Sequence, residues 1–192
     1  MELAEINKLE HQLSLPVGFF EALLTEDDWS FVIKLHALIE GAISHLLITH
    51  IDEPNLATTI AHLELSNTRT GKMAFVKSMT LLEKDSRRFI TSLSELRNQL
   101  VHNISNISFS FKGLLSNYTE KEKDAFIKRF AIVQPPLNDK LRREMILHDP
   151  KKTIWFSAMT ILLSVHYRNK TFALERYVKA HSIMFAPEEQ SD

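Results

Sequence analysis

The chain has 192 residues, 44% of them apolar and 24% charged, with a formal net charge of −1. That is the balance of an ordinary globular protein, long enough for one well-filled core and too apolar for a disordered tail. With no Cys, it excludes disulfide scaffolds, thiolate zinc sites and Cys nucleophiles.

Four Gly and six scattered Pro leave long uninterrupted stretches, which favours helix over sheet. Residues 1–24 read as a short amphipathic helix and a linker at Leu15-Pro16-Val17-Gly18. The acidic start, Met1-Glu2-Leu3-Ala4-Glu5, lacks the basic opening of a signal peptide, so a cytoplasmic protein is expected. Thr25 and Asp28 are spaced as a capping box for a core helix over 29–50, where Phe31, Val32, Leu35, Leu38, Ile39, Ala42, Ile43, Leu46 and Leu47 recur at helical steps. Glu40, His45 and His50 interrupt the apolar run Ala37 to Ile51, which argues against a membrane span. Shorter helices are expected over 55–65 and 72–82, separated by a turn at Asn67-Thr68-Arg69-Thr70-Gly71.

The next helix is expected over 85–103. Residues 104–118 alternate apolar and polar at Ile107-Ser108-Phe109-Ser110-Phe111, the pattern of a short strand or an extended arm, and read as a loop insertion. Helices follow over 120–132, stopping before Pro135-Pro136, and over 137–147. A long last one opens at Asp149-Pro150, with Pro in a tolerated early position, and a polar tail follows Ala186. The whole reads as a single all-α domain over 1–192, a compact bundle of five to seven helices. Its core lies in about 25–103 and 150–185, with 104–147 as an inserted segment.

Charge is uneven along the chain. Residues 1–30 hold seven acidic side chains against one Lys, whereas Lys121 to Lys152 is basic. Such asymmetry permits a polyanion on one face and is equally compatible with a solvated helix surface.

The chemistry concentrates in Arg97-Asn98-Gln99-Leu100-Val101-His102. Cutting RNA by attack of the ribose 2′-hydroxyl needs a base, an acid and stabilisation of a crowded phosphate. His moves protons near neutral pH, Arg offers a planar fork to phosphate oxygens, and Asn can orient either. Asn98 and His102 share a helical face. Arg97 and His102 lie about 140° apart around an ideal helix axis, a gap that a long Arg side chain can partly close and that a second copy across a two-fold axis would close better. One His per subunit also falls short of an acid plus a base. The same residues can equally serve as a solvated helix surface and a helix end.

The motif resembles the signature of the HEPN superfamily: an Arg followed directly by a polar residue, with a His several positions on. The likeness extends to Leu35-His36-Ala37-Leu38-Ile39-Glu40 upstream, to Ser92-Leu93-Ser94-Glu95-Leu96-Arg97-Asn98, and to a later apolar helix. It covers about 25–103 and, more loosely, 150–185; residues 1–24 and 104–147 stand outside it. The resemblance implies a helical bundle, a homodimer and a metal-independent endoribonuclease with no cofactor, acting as a toxin or phage-defence effector. In that reading Arg97 stabilises the phosphate, His102 is the general acid/base and Asn98 supports them. RNA is the substrate, and any antitoxin or regulatory protein is a separate chain. The superfamily also holds members without RNase activity, so a non-catalytic module binding protein or nucleic acid is the alternative.

Three further residues are candidates around the motif. Glu40 is placed to support it by pairing with Arg97, since a buried acid needs a partner. Arg87 and Arg88 are candidates to extend an RNA groove. His36 and Glu40 stand four apart, as metal ligands can, but no HExxH-like run accompanies them, and no metal site is expected. No Gly-rich phosphate loop and no Gly-x-Ser-x-Gly elbow occurs, which argues against an NTPase and a serine hydrolase.

Overall fold

The computed structural model describes residues 3–132 and 138–184, and all regular structure within them is helical. Ten α-helices follow one another: α1 (Leu3–Gln12), α2 (Phe19–Ala22), α3 (Asp28–Ile51), α4 (Ala57–His62), α5 (Lys72–Ser78), α6 (Lys84–Val101), α7 (Phe111–Ser116), α8 (Glu120–Phe130), α9 (Asp139–His148) and α10 (Pro150–Met184). Met1-Glu2, Pro135-Pro136 and the tail after Ala186 lie outside the described residues.

α3 and α10 run parallel down the centre. Lys151 pairs with Asp28 at 2.8 Å where both helices start, and Arg176 pairs with Asp52 where α3 ends. Between those ends α3 buries Phe31, Leu35, Ile39, Ile43 and Leu46 against Ile154, Ala158, Ile161, Leu162 and Val165 of the same core. Removing this much apolar surface from water is the main force holding the bundle together. α6 crosses α3 antiparallel: Trp29 reaches Leu100, and His36 reaches Ser94. α8 lies antiparallel to α6, with Arg88 donating to the Lys128 carbonyl at 3.0 Å. α9 is clasped to α8 by Arg143, which pairs with both Glu120 and Asp124.

Several local expectations change. The N-cap of α3 is Asp27, not Thr25: its carboxylate accepts from the Ser30 amide at 2.9 Å, and that bond holds the Asp27 carboxyl below the usual range. Asp28 instead reaches across the fold to the Phe111 amide at 2.8 Å and to Lys151. Thr25 ends a short 3₁₀ turn. Residues 104–118 are neither strand nor extended arm. They form a 3₁₀ turn over Ile104–Ser108 and then α7. Phe111 is buried edge-on against Phe31, with ring centroids 6.1 Å apart, and edge-on against Phe109 at 5.1 Å, so the alternation reflects aromatic packing and not a pleat. Phe126, Phe130 and Ile146 from the same inserted region join the common core.

α3 is long and apolar enough to cross a membrane, with a mean hydropathy of 1.6 over 18 residues, as core helices often are. Glu40, His45 and His50 do not lower it enough to fail that test. Ten of its side chains are buried within the bundle.

Candidate functional site

α6 is a typical amphipathic helix. Phe89, Ile90, Leu93, Leu96 and Leu100 form its buried side. Its last carbonyls are closed by groups from elsewhere. The Trp29 indole N–H donates to the Leu100 carbonyl at 3.4 Å, and the Asn106 side-chain amide donates to the Gln99 carbonyl at 2.8 Å. The His102 amide donates to the Asn98 carbonyl at 3.2 Å and makes His102 the C-cap. These bonds fix where the chain leaves α6, and therefore where the imidazole stands.

That imidazole is exposed and has no hydrogen bond or ion pair to any described residue. One turn earlier, half-buried Asn98 accepts through Oδ1 from Arg97 Nη1 at 3.1 Å. Arg97 lies on the side of α6 that faces α3, near enough to His36 to act on it electrostatically. Arg97 and Asn98 are thus brought together. His102 stands apart from Arg97, as the 140° offset requires. Val101 (39% exposed) and Ile107 (64% exposed) leave apolar surface beside His102.

Glu40 does not meet Arg97. The antiparallel register sets His36 level with Ser94, which puts Glu40 level with Ile90, about 10 Å along α6 from Arg97. The carboxylate pairs instead with Lys72 Nζ at 2.9 Å and lies 3.9 Å from His36 Nδ1. Lys72 is buried (1% exposed) and donates also to the Ala61 carbonyl at 3.1 Å. His36 Nε2 sits 3.1 Å from Ser94 Oγ, whose hydroxyl donates to the Ile90 carbonyl. With the serine proton so used, Nε2 is assigned as the protonated nitrogen. Burial pushes the His36 imidazole below its ordinary value of 6.5; Arg97 and Lys72 push the same way, and Glu40 opposes them.

Arg87 and Arg88 line a cavity of about 420 Å³ between α5, α6 and α8, together with Lys77, Lys84 and Arg129. Glu95 is the one carboxylate on its wall. Arg88 is held by the Lys128 carbonyl and by Asp85 at 2.8 Å. The Nε of Arg87 is buried and has no hydrogen-bond partner. A second cavity of about 270 Å³ shares Ser92, Glu95 and Arg129 with the first and continues to Gln99. One groove therefore follows α6 towards the motif.

Sequence reasoning missed Lys72, Lys77, Lys84 and Arg129. Lys84 was legible, because Lys84, Arg88, Thr91, Glu95, Asn98 and His102 recur at four- and three-residue steps, a single stripe about 27 Å long. Lys77 and Arg129 come from other helices and leave no local signal. The chain matches no family model, no curated protein and no solved structure.

Proposed function

We propose that this protein is a metal-independent endoribonuclease of HEPN type, a cytoplasmic toxin or defence effector, whose active site is completed by a second copy. The observation that carries the reading is the imidazole of His102. It is exposed, makes no hydrogen bond or ion pair with the described residues, and is fixed by its backbone at the C-terminal end of α6, three residues beyond Gln99, which lines the second cavity. A histidine with no structural duty at such a position suits proton transfer.

The ribose 2′-hydroxyl attacks phosphorus and loses its proton to one imidazole. The bond from phosphorus to the 5′-oxygen breaks, and the departing oxygen takes a proton from a second imidazole. The products are a 2′,3′-cyclic phosphate and a 5′-hydroxyl. Each chain supplies one His102, so the second imidazole comes from a partner copy. Arg97, held by Asn98, turns its remaining N–H donors to phosphate oxygens. Val101 and Ile107 give the second copy an apolar surface to cover.

One observation favours the second reading, a non-catalytic module that binds RNA or a separate regulatory protein. Within one copy Arg97 faces α3 and His102 faces solvent, so no complete site exists without a partner.

The test is incubation of purified protein with total RNA in EDTA, beside His102→Ala and Arg97→Ala. Cleavage by the parent alone, leaving cyclic phosphate ends, is the expected result. Intact RNA in every lane supports the binding module. Equal cleavage in all three lanes sinks the assignment of these residues.

A further inference from the structure

We infer that the cavity between α5, α6 and α8 is a phosphate-binding subsite that holds the RNA backbone away from the point of cleavage. The identity of its ligand rests on the nuclease reading; its affinity for phosphate does not. In a chain of net charge −1, Lys77, Lys84, Arg87, Arg88 and Arg129 converge on one cavity whose wall carries a single carboxylate, Glu95. Among the described residues, only Arg88 of the five is neutralised by an ion pair, with Asp85. Cations that repel one another across a cavity lower stability unless an anion sits between them.

The Arg87 guanidinium points the same way independently. Its Nε is buried without an acceptor, whereas the residue as a whole is half-buried and lines the cavity. A phosphate in the cavity does not reach the sealed Nε but brings the guanidinium the counter-charge it lacks. Hydroxyls of Thr68, Thr91 and Ser92 on the same wall add neutral donors. Arg88, clamped by the Lys128 carbonyl and Asp85, holds its own fork in place and is pre-organised for this duty.

Distance separates the cavity from the reacting centre. Arg88 and His102 lie on the same stripe of α6, fourteen residues and therefore about 21 Å apart. At about 3.4 Å per stacked step, that is roughly six nucleotides. The cavity is thus a distal anchor. A free nucleotide or polyphosphate presents the same chemistry, and the experiment separates the two sources.

The protein to use is full-length His102→Ala, so that cleavage cannot remove the probe. The first probe is a fluorescent single-stranded RNA of about ten nucleotides, long enough to span from His102 to the cavity. The second is ATP. The variant is Lys77→Gln, Lys84→Gln and Arg129→Gln together; all three side chains are exposed and make no ion pair, so folding is not at risk. The control removes the same charge elsewhere, by Lys121→Gln, Lys140→Gln and Lys179→Gln.

The cavity variant is expected to raise the RNA Kd at least about tenfold. It should also flatten the slope of log K against log salt by about 0.7 for each phosphate that is no longer neutralised. The control should stay within about twofold of the parent, as a screened surface charge does. ATP bound by the parent and not by the cavity variant, with no RNA bound by any form, supports the phosphate subsite. It assigns the site to a free nucleotide and counts against the nuclease reading. Equal weakening in cavity and control variants overturns the inference, and so does RNA cleavage by the His102-intact enzyme that is indifferent to the three substitutions. That last outcome leaves the nuclease standing.

Discussion

At the scale of single residues, two histidines on neighbouring helices have opposite situations, and the difference is testable. The His102 side chain is exposed and makes no hydrogen bond or ion pair with the described residues, so His102→Ala should abolish cleavage and leave the melting temperature within about 1 °C of the parent, the usual fate of a surface change. His36 is buried, bonded to Ser94 and ringed by Glu40, Lys72 and Arg97. Burial holds its folded pKa below the ordinary 6.5, so between the two values the unfolded chain binds the extra proton. The stability that neutral His36 contributes is therefore complete above about pH 6.5 and is lost as pH falls through the folded value. Denaturant titrations at pH 7.5 and pH 5.5 should show a larger loss for the parent than for His36→Gln, which keeps a donor for Ser94 but cannot be charged. Equal losses would mean that other groups govern the acid limb. A neutral His36 also adds no repulsion to Arg97, so acidification should weaken the Arg97 arrangement before the fold itself gives way.

At the scale of elements, the long helices were legible because burial on one side imposes a period, and α3, α6, α8 and α10 repeat it often enough to be read. Of the short ones, α4 falls within the helix expected over 55–65, but α2 and α7 were not legible, because they have six residues or fewer and leave less than two full turns of pattern. The capping box at Thr119 and Glu122 was available in the sequence and marks the start of α8 cleanly. Arg97, Asn98 and His102 were legible as a motif. The pairing of Glu40 with Lys72 was not, since it depends on the register of α3 against α6 and on the loop that delivers Lys72. That loop depends on Gly71. A Cβ there would sit 2.2 Å from the Glu64 carbonyl oxygen and 2.9 Å from that of Asn67, both backbone atoms that cannot swing away. Those two carbonyls accept from the Lys72 and Gly71 amides, so moving them breaks the turn. Gly71→Ala should therefore cost about 2 kcal/mol or more. Gly41, inside α3, has nothing within 4 Å of the same added atom, and Gly41→Ala should stabilise by about 0.5–1 kcal/mol through helix propensity. Paired thermal melts decide both; a Gly71→Ala protein as stable as the parent would show that the 64–72 turn rearranges freely and does not hold Lys72 in place.

At the scale of the whole molecule, the bundle separates rigidity from chemistry. The α3–α10 pair is clamped at both ends by Lys151–Asp28 and Arg176–Asp52, and α6 is pinned to it through Trp29 and His36. This frame puts Arg97 on the side of α6 that faces α3 and the exposed His102 about 140° further round the axis. If the protein cuts RNA, the missing half of each site comes from a second copy, and a mixing experiment reports it directly. Parent and His102→Ala proteins in equal amounts are unfolded, combined and refolded together. In a two-fold dimer whose site needs the His102 imidazole of both copies, only the quarter of the assemblies built from two parent chains is active, so about a quarter of the activity of the same total amount of parent should remain. A site complete within one copy leaves about half, because every parent chain stays active whatever its partner. A sedimentation run at the same concentrations separates the remaining cases. Dimers that keep half of the activity, or monomers that cleave, place the whole site in one copy and overturn the shared site.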